Sequence, residues 1–98
     1  MKDSDIIKSI KNKKKISFIY KNEGTRIVSP HVLYFNPRNE KMFDAFQYKG
    51  YSEHGGLPNW RQFFLEHATD IRTLDEGFEI EAGYNPISSR YVNSICKL

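Results

Sequence analysis

The sequence predicts a mainly β domain of α+β class, a small, strongly bent sheet or partly open barrel of about five strands between short N- and C-terminal helices. Three observations carry that expectation. Short runs with the two-residue period of a strand fill the middle of the chain, Gly, Asn and Pro punctuate them closely, and helical spacing of apolar residues is confined to the two ends. A flat sheet of that size would leave long exposed edges, and bending or closure removes them.

Ile6, Ile7 and Ile10 recur at helical spacing while Lys8, Lys11 and Lys14 fall elsewhere on the wheel, and Asp3 or Ser4 supplies an N-cap. The chain therefore opens with a short amphipathic helix. After KNKKK, Ile16, Phe18 and Tyr20 alternate with Ser17, Ile19 and Lys21, a strand with one apolar face. Asn22 and Gly24 accept positive φ and turn the chain into TRIVS, an extended run expected to end at Pro30. Residues 31–36 read as a further extended piece, Pro37 and Asn39 as a turn, and residues 41–48 as another strand. The Gly-rich stretch 49–59 is the longest loop. WRQFFL and ATDIRTL follow as one long or two short strands, interrupted near His67 to Asp70. Residues 75–85 read as irregular. Ile87, Tyr91 and Ile95 fit a final helix capped by Asn85, with Pro86 at its first position.

With 98 residues, 39% hydrophobic and 28% charged, the chain is expected to form one soluble domain. It has no apolar run near the roughly 20 residues that span a bilayer, and acids interrupt the N-terminus where a signal peptide is apolar. No membrane partner is expected and the cytoplasm is the default compartment. Cys96, the single cysteine, reads as a small apolar residue. The net charge of +3 is uneven: residues 1–49 carry eleven Lys or Arg against five acids, and residues 50–98 carry four against seven. One surface is therefore expected to be basic, which favours an anionic partner.

Phosphate-loop, nucleophile-elbow and paired metal-ligand patterns are missing, and His31, His54 and His67 are scattered. The reading is a non-enzymatic module with no cofactor and no metal. Lys11, Lys13, Lys14 and Lys15 form the plainest basic cluster, a solvated turn or a phosphate-contacting surface. Arg26, Arg61 and Arg72 lie in strand-like stretches that aim a guanidinium fork. In NWRQFFL, Trp60 and Phe63 beside Arg61 suit base stacking next to a phosphate contact, and they equally suit a small core. Period two leaves two arrangements: the strand twists so that Arg61 emerges at its edge, or Trp60, Gln62 and Phe64 face out and Arg61 is partly buried against an acid.

The segments RIVSPHVL, MFDAFQYKGYSEHGGLPNWRQFFL and IRTL together resemble the WYL domain, in particular its small stand-alone bacterial members. The resemblance covers about residues 6 to 75, with a weaker echo in FEIEAGYNP. It implies a short helix followed by an Sm-like, SH3-type β-barrel and a regulatory role in sensing nucleic acid or a nucleotide-like ligand. It also favours Arg61 emerging at its strand edge. By position it nominates Arg26, His31, Gln47 and Arg61 as ligand contacts, flanked by Tyr48 and Ser52, and Trp60 joins them from the stacking argument. Expected partners are single-stranded nucleic acid or a nucleotide, with a homodimer and an effector protein as further partners. The alternative function is a protein-docking or dimerisation module that modulates a separate effector. The family's name tripeptide is replaced by Met42, Phe43 and Asp44, and Asp44 inside an anion site would repel phosphate.

Overall fold

Residues 2–50 and 56–98 are described by the computed structural model. Ile6 and Ile10, one helical turn apart, are fully buried and hold α1 (Lys2–Asn12) against the sheet. Asp3 and Asp5 in its first turn and Lys11 in its last match the helix dipole. Lys13 then takes φ 50°, which stops the helix and starts β1 (Lys14–Tyr20). The hairpin to β2 (Thr25–Phe35) turns through Lys21, Asn22 and Gly24, all at positive φ, so the two expected turn residues are joined by a lysine. Asn39, at φ 63°, closes the next turn into β3 (Lys41–Gly50). β4 (Asn59–Phe64), a single 3-10 turn at Leu65–His67, β5 (Ala68–Gly77), a second 3-10 turn at Ser89–Tyr91 and β6 (Ser94–Lys97) complete the order.

The strands form one antiparallel, open sheet in the order β4-β3-β2-β1-β5, with β6 paired to β2. β2 is the organiser. One of its edges runs along β3; the other pairs first with β1, up to Val28, and then with β6, from Val32 to Tyr34.

That division of an edge explains two corrections to the sequence reading. Pro30 does not end a strand: it lies where the edge passes from β1 to β6, so its missing N–H interrupts no ladder there. The C-terminal helix is also absent. Residues 94–97 extend instead, because the second half of β2 offers backbone groups that β1 does not reach, and the spacing of Ile87, Tyr91 and Ile95 goes unused. Of those three, Tyr91 alone is buried, while Ile87 is 88% exposed. β5 also continues to Gly77, past the expected start of irregular chain at Asp75.

The two faces of the sheet carry different chemistry. One packs Ile16, Phe18, Val28, Leu33, Phe43 and Phe63 beneath α1, with the rings of Phe18, Phe43 and Phe63 centred between 5.1 and 5.4 Å apart. Such aromatic contacts add about 0.5–1.5 kcal/mol each beyond area burial. The opposite face carries Val32, Tyr34, Met42, Asp44 and Trp60. The chain from Phe78 to Tyr91 crosses it as a strap.

Candidate functional site

The register of β3 against β4 sets which side chains meet the strap. Phe43 opposes Phe63 and Ala45 opposes Arg61, so Arg61 stands on the core-facing side; Asp44 opposes Gln62 and Phe46 opposes Trp60 on the strap side. Of the two arrangements open to NWRQFFL, the register matches the facing of the second, with Arg61 half-buried on the core side, and not the emergent one implied by the resemblance. Its Nη1 donates to the carbonyl of Trp60 at 2.9 Å. Trp60, Gln62 and Phe64 turn from the core toward the strap side, where Trp60 and Phe64 are half-buried and Gln62 is exposed.

Between β4 and the strap lies a cavity of about 510 Å³, lined by Trp60, Arg61 and Gln62 from one side and by Gly83, Tyr84 and Arg90 from the other, with Asp44 and Tyr91 also on its wall. The indole of Trp60 is fixed: Nε1 donates to the Ala82 carbonyl at 2.9 Å, and its ring stacks on Tyr84 with centroids 6.1 Å apart and planes at 25°. Gly83, at φ 94°, is required there, because a Cβ would stand 2.9 Å from that same nitrogen.

Asp44, 3% exposed, organises the neighbouring wall. Its Oδ1 accepts from the Tyr34 hydroxyl at 2.8 Å, and its Oδ2 accepts from the Tyr91 hydroxyl at 2.7 Å and from Arg90 Nη2. Three donors around one carboxylate supply what burial of its charge demands. Burial, and then the hydrogen bond to Asp44, raises the Tyr91 phenol above its ordinary value; burial likewise pushes Tyr34 up to about 12, so both donate as neutral hydroxyls at neutral pH. The acid expected to repel phosphate therefore already has its own cation.

The predicted contacts do not all converge. His31 is fully buried as the extra residue of a bulge, since β2 advances two residues from Pro30 to Val32 while β3 advances one, from Ala45 to Asp44. Its Nδ1 donates to the Ser29 carbonyl at 2.9 Å and its Nε2 accepts the Glu81 backbone N–H at 3.1 Å. That pattern is a neutral imidazole, and burial lowers its pKa against the opposing pull of Ser29 and Glu81. Rings of Trp60, Phe78 and Tyr84 surround it at 4.7–5.1 Å, so His31 anchors the strap behind the cavity. Tyr48 anchors it too: its hydroxyl donates to Glu81 and lies 2.9 Å from Ser29 Oγ, with Lys15 Nζ 4.1 Å from the ring centroid.

Arg26 and Gln47 stand elsewhere, on the core-facing side. Arg26 is 5% exposed, its guanidinium 4.8 Å from the Tyr20 ring centroid and 3.8 Å from Glu23. Gln47 is buried and donates from Nε2 to the Lys49 carbonyl at 3.2 Å. Ser52, together with Tyr51 and His54, lies outside the described residues. The structure thus brings Trp60 and Arg61 into one cavity with His31 directly behind, and separates Arg26, Gln47 and Tyr48 from it.

Sequence reasoning did not find Tyr84, Arg90 and Tyr91. A signal existed in Asp44, an acid set in the otherwise apolar run MFDAF of a strand flanked on both sides, which needs a buried cationic or hydroxyl partner. Among the described residues there is no group of three His, Cys, Asp or Glu side chains placed to hold a metal. No helix among the described residues is long and apolar enough to cross a membrane. No family model, curated protein or solved structure matches the chain.

Proposed function

We propose that this chain is a regulatory ligand-binding module of the WYL kind, its bent sheet an Sm-like, SH3-type barrel, and that it binds single-stranded nucleic acid or a nucleotide-like anion in the cavity between β4 and the strap. The observation that supports this is that Trp60 and Gln62, with Arg61 between them, line one cavity together with Tyr84 and Arg90. A nucleotide asks for an aromatic surface, a cationic fork and a group that both donates and accepts for its base edge. Trp60 with Tyr84, Arg61, and Gln62 meet those needs in that order. Arg61 stands on the cavity wall with the Asp44–Arg90 pair, and this reading takes it as the principal anion contact. Arg26 and His31, nominated alongside it, serve this reading as supports of the core and the strap.

The alternative, a protein-docking or dimerisation module acting on an effector, is favoured by one specific observation: Ile87 and Val92 are 88% and 78% exposed on the strap side of the molecule. Both readings meet in one experiment. Fluorescence anisotropy with labelled single-stranded RNA and DNA of mixed sequence, at two salt concentrations, is expected to show salt-sensitive binding that Arg61→Ala weakens about 10-fold or more and Lys14→Ala weakens less. Equal losses in the two variants refute the site. Absence of binding at low salt, with a dimer in light scattering that Val92→Asp dissociates, replaces the ligand reading by the docking one.

A further inference from the structure

We infer that the ligand is a short oligonucleotide rather than a single nucleotide, because a second base subsite adjoins the first; this rests on the nucleotide reading above. Beyond Arg90 lies another cavity, of about 660 Å³, and Gln62 and Arg90 line both. Each volume falls in the range of about 300–1,000 Å³ usual for small-molecule sites. The two form one path along the strap side of β4, divided by a shared wall.

Chemistry along the path repeats. In the first cavity an aromatic surface, Trp60 and Tyr84, stands beside Arg61; in the second, Phe35 and Phe64 stand with Met42 beside Arg38. Arg90 sits between them, where the phosphate linking two bases would fall. Among the described residues the hydrogen bonds of its guanidinium run through Nη2 alone, to Asp44 and to the Tyr34 hydroxyl at 3.3 Å. Its side chain is 46% exposed, so Nε and Nη1 remain to face a phosphate oxygen. The second cavity also holds Glu40, which accepts from Asn36 Nδ2 at 3.0 Å and is outnumbered there by Arg38 and Arg90. A repeated aromatic-plus-cation unit at two adjoining positions is what a strand of stacked bases recognises, since every base offers a π-face and every link a negative charge.

The test is an amide NMR titration of the full chain with 5′-mononucleotides of all four bases and with the matching homodinucleotides. Shifts confined to Trp60, Arg61 and Tyr84 are expected with mononucleotides, and their spread to Phe64 and Val92 with dinucleotides, which bind roughly 10-fold tighter. Phe64→Ala and Arg38→Ala are expected to remove that gain and leave mononucleotide affinity unchanged; Arg38 is exposed on a turn, so its variant keeps the fold. Dinucleotides that bind no tighter than mononucleotides overturn the second subsite and leave the first standing. No shift with either probe at low salt removes the nucleotide reading itself, and this inference with it.

Discussion

His31→Gln perturbs the strap at the point where its chemistry depends on pH. In the folded protein Nε2 accepts the Glu81 N–H, and a proton on that nitrogen would set donor against donor inside a ring of Trp60, Phe78 and Tyr84. Burial accordingly holds the folded pKa below the ordinary 6.5, while Glu81, the charge facing the imidazole, pulls it back up. Below pH 6.5 the unfolded chain therefore carries the extra proton, so the stabilisation is fully present above 6.5 and is lost as pH falls toward the folded pKa. The limiting slope for one group is about 1.4 kcal/mol per pH unit, or at most about 2 kcal/mol between 6.5 and about 5. Glutamine keeps an acceptor oxygen without a titrating proton and loses ring packing, at a cost of about 1–2 kcal/mol near pH 8. Urea unfolding of parent and variant across that pH range measures both quantities. The difference between the slopes of parent and variant isolates His31. Equal slopes would refute the role of a neutral His31 in anchoring the strap, however large the loss of stability.

Three further substitutions separate the network from the backbone. Asp44→Asn removes the charge shared by Tyr34, Tyr91 and Arg90, and a loss of about 2–3 kcal/mol is expected by thermal or urea unfolding; a neutral result shows that Arg90 is solvated rather than held. Gly50→Ala places a Cβ 2.1 Å from the Thr25 carbonyl oxygen at φ 105°, whereas Gly56→Ala, at φ 68°, meets open space. The first is expected to cost about 3 kcal/mol and the second about 1 kcal/mol, and similar melting temperatures for the two would contradict the close β2–β3 approach at Gly50.

Period and turn chemistry made much of the architecture legible. Ile6 and Ile10 announced α1, the alternation through Ile16, Phe18 and Tyr20 announced the core face of β1, and Asn22, Gly24 and Asn39 stand at positive φ where turns were expected. These are local signals, decided by a residue's own backbone preferences and its immediate neighbours. Trp60 and Arg61 were likewise legible as a pair, because an aromatic beside a guanidinium is visible in any window that contains both. The bulge that turns His31 toward the strap was not, since a shift of register depends on the partner strand as much as on β2 itself.

The C-terminal third shows where the local code stops. Helical spacing of Ile87, Tyr91 and Ile95 is a weak preference, and the backbone groups along the second half of β2 outweigh it, drawing residues 94–97 into a strand. Residues 78–85 have no periodicity to read, and the path of 78–91 is set by distant partners, His31 and Tyr48 for Glu81, Trp60 for Ala82, and Asp44 for Arg90 and Tyr91. The sequence by itself determined a mainly β chain with a helical start, its turns and the aromatic–arginine pair on β4. Tertiary structure alone decided that a strap crosses the second face, that Asp44 has a cation, and that the cavity has a far wall. The reason is that one buried carboxylate and one buried imidazole must each find polar partners, and the chain supplies them from about 50 residues away.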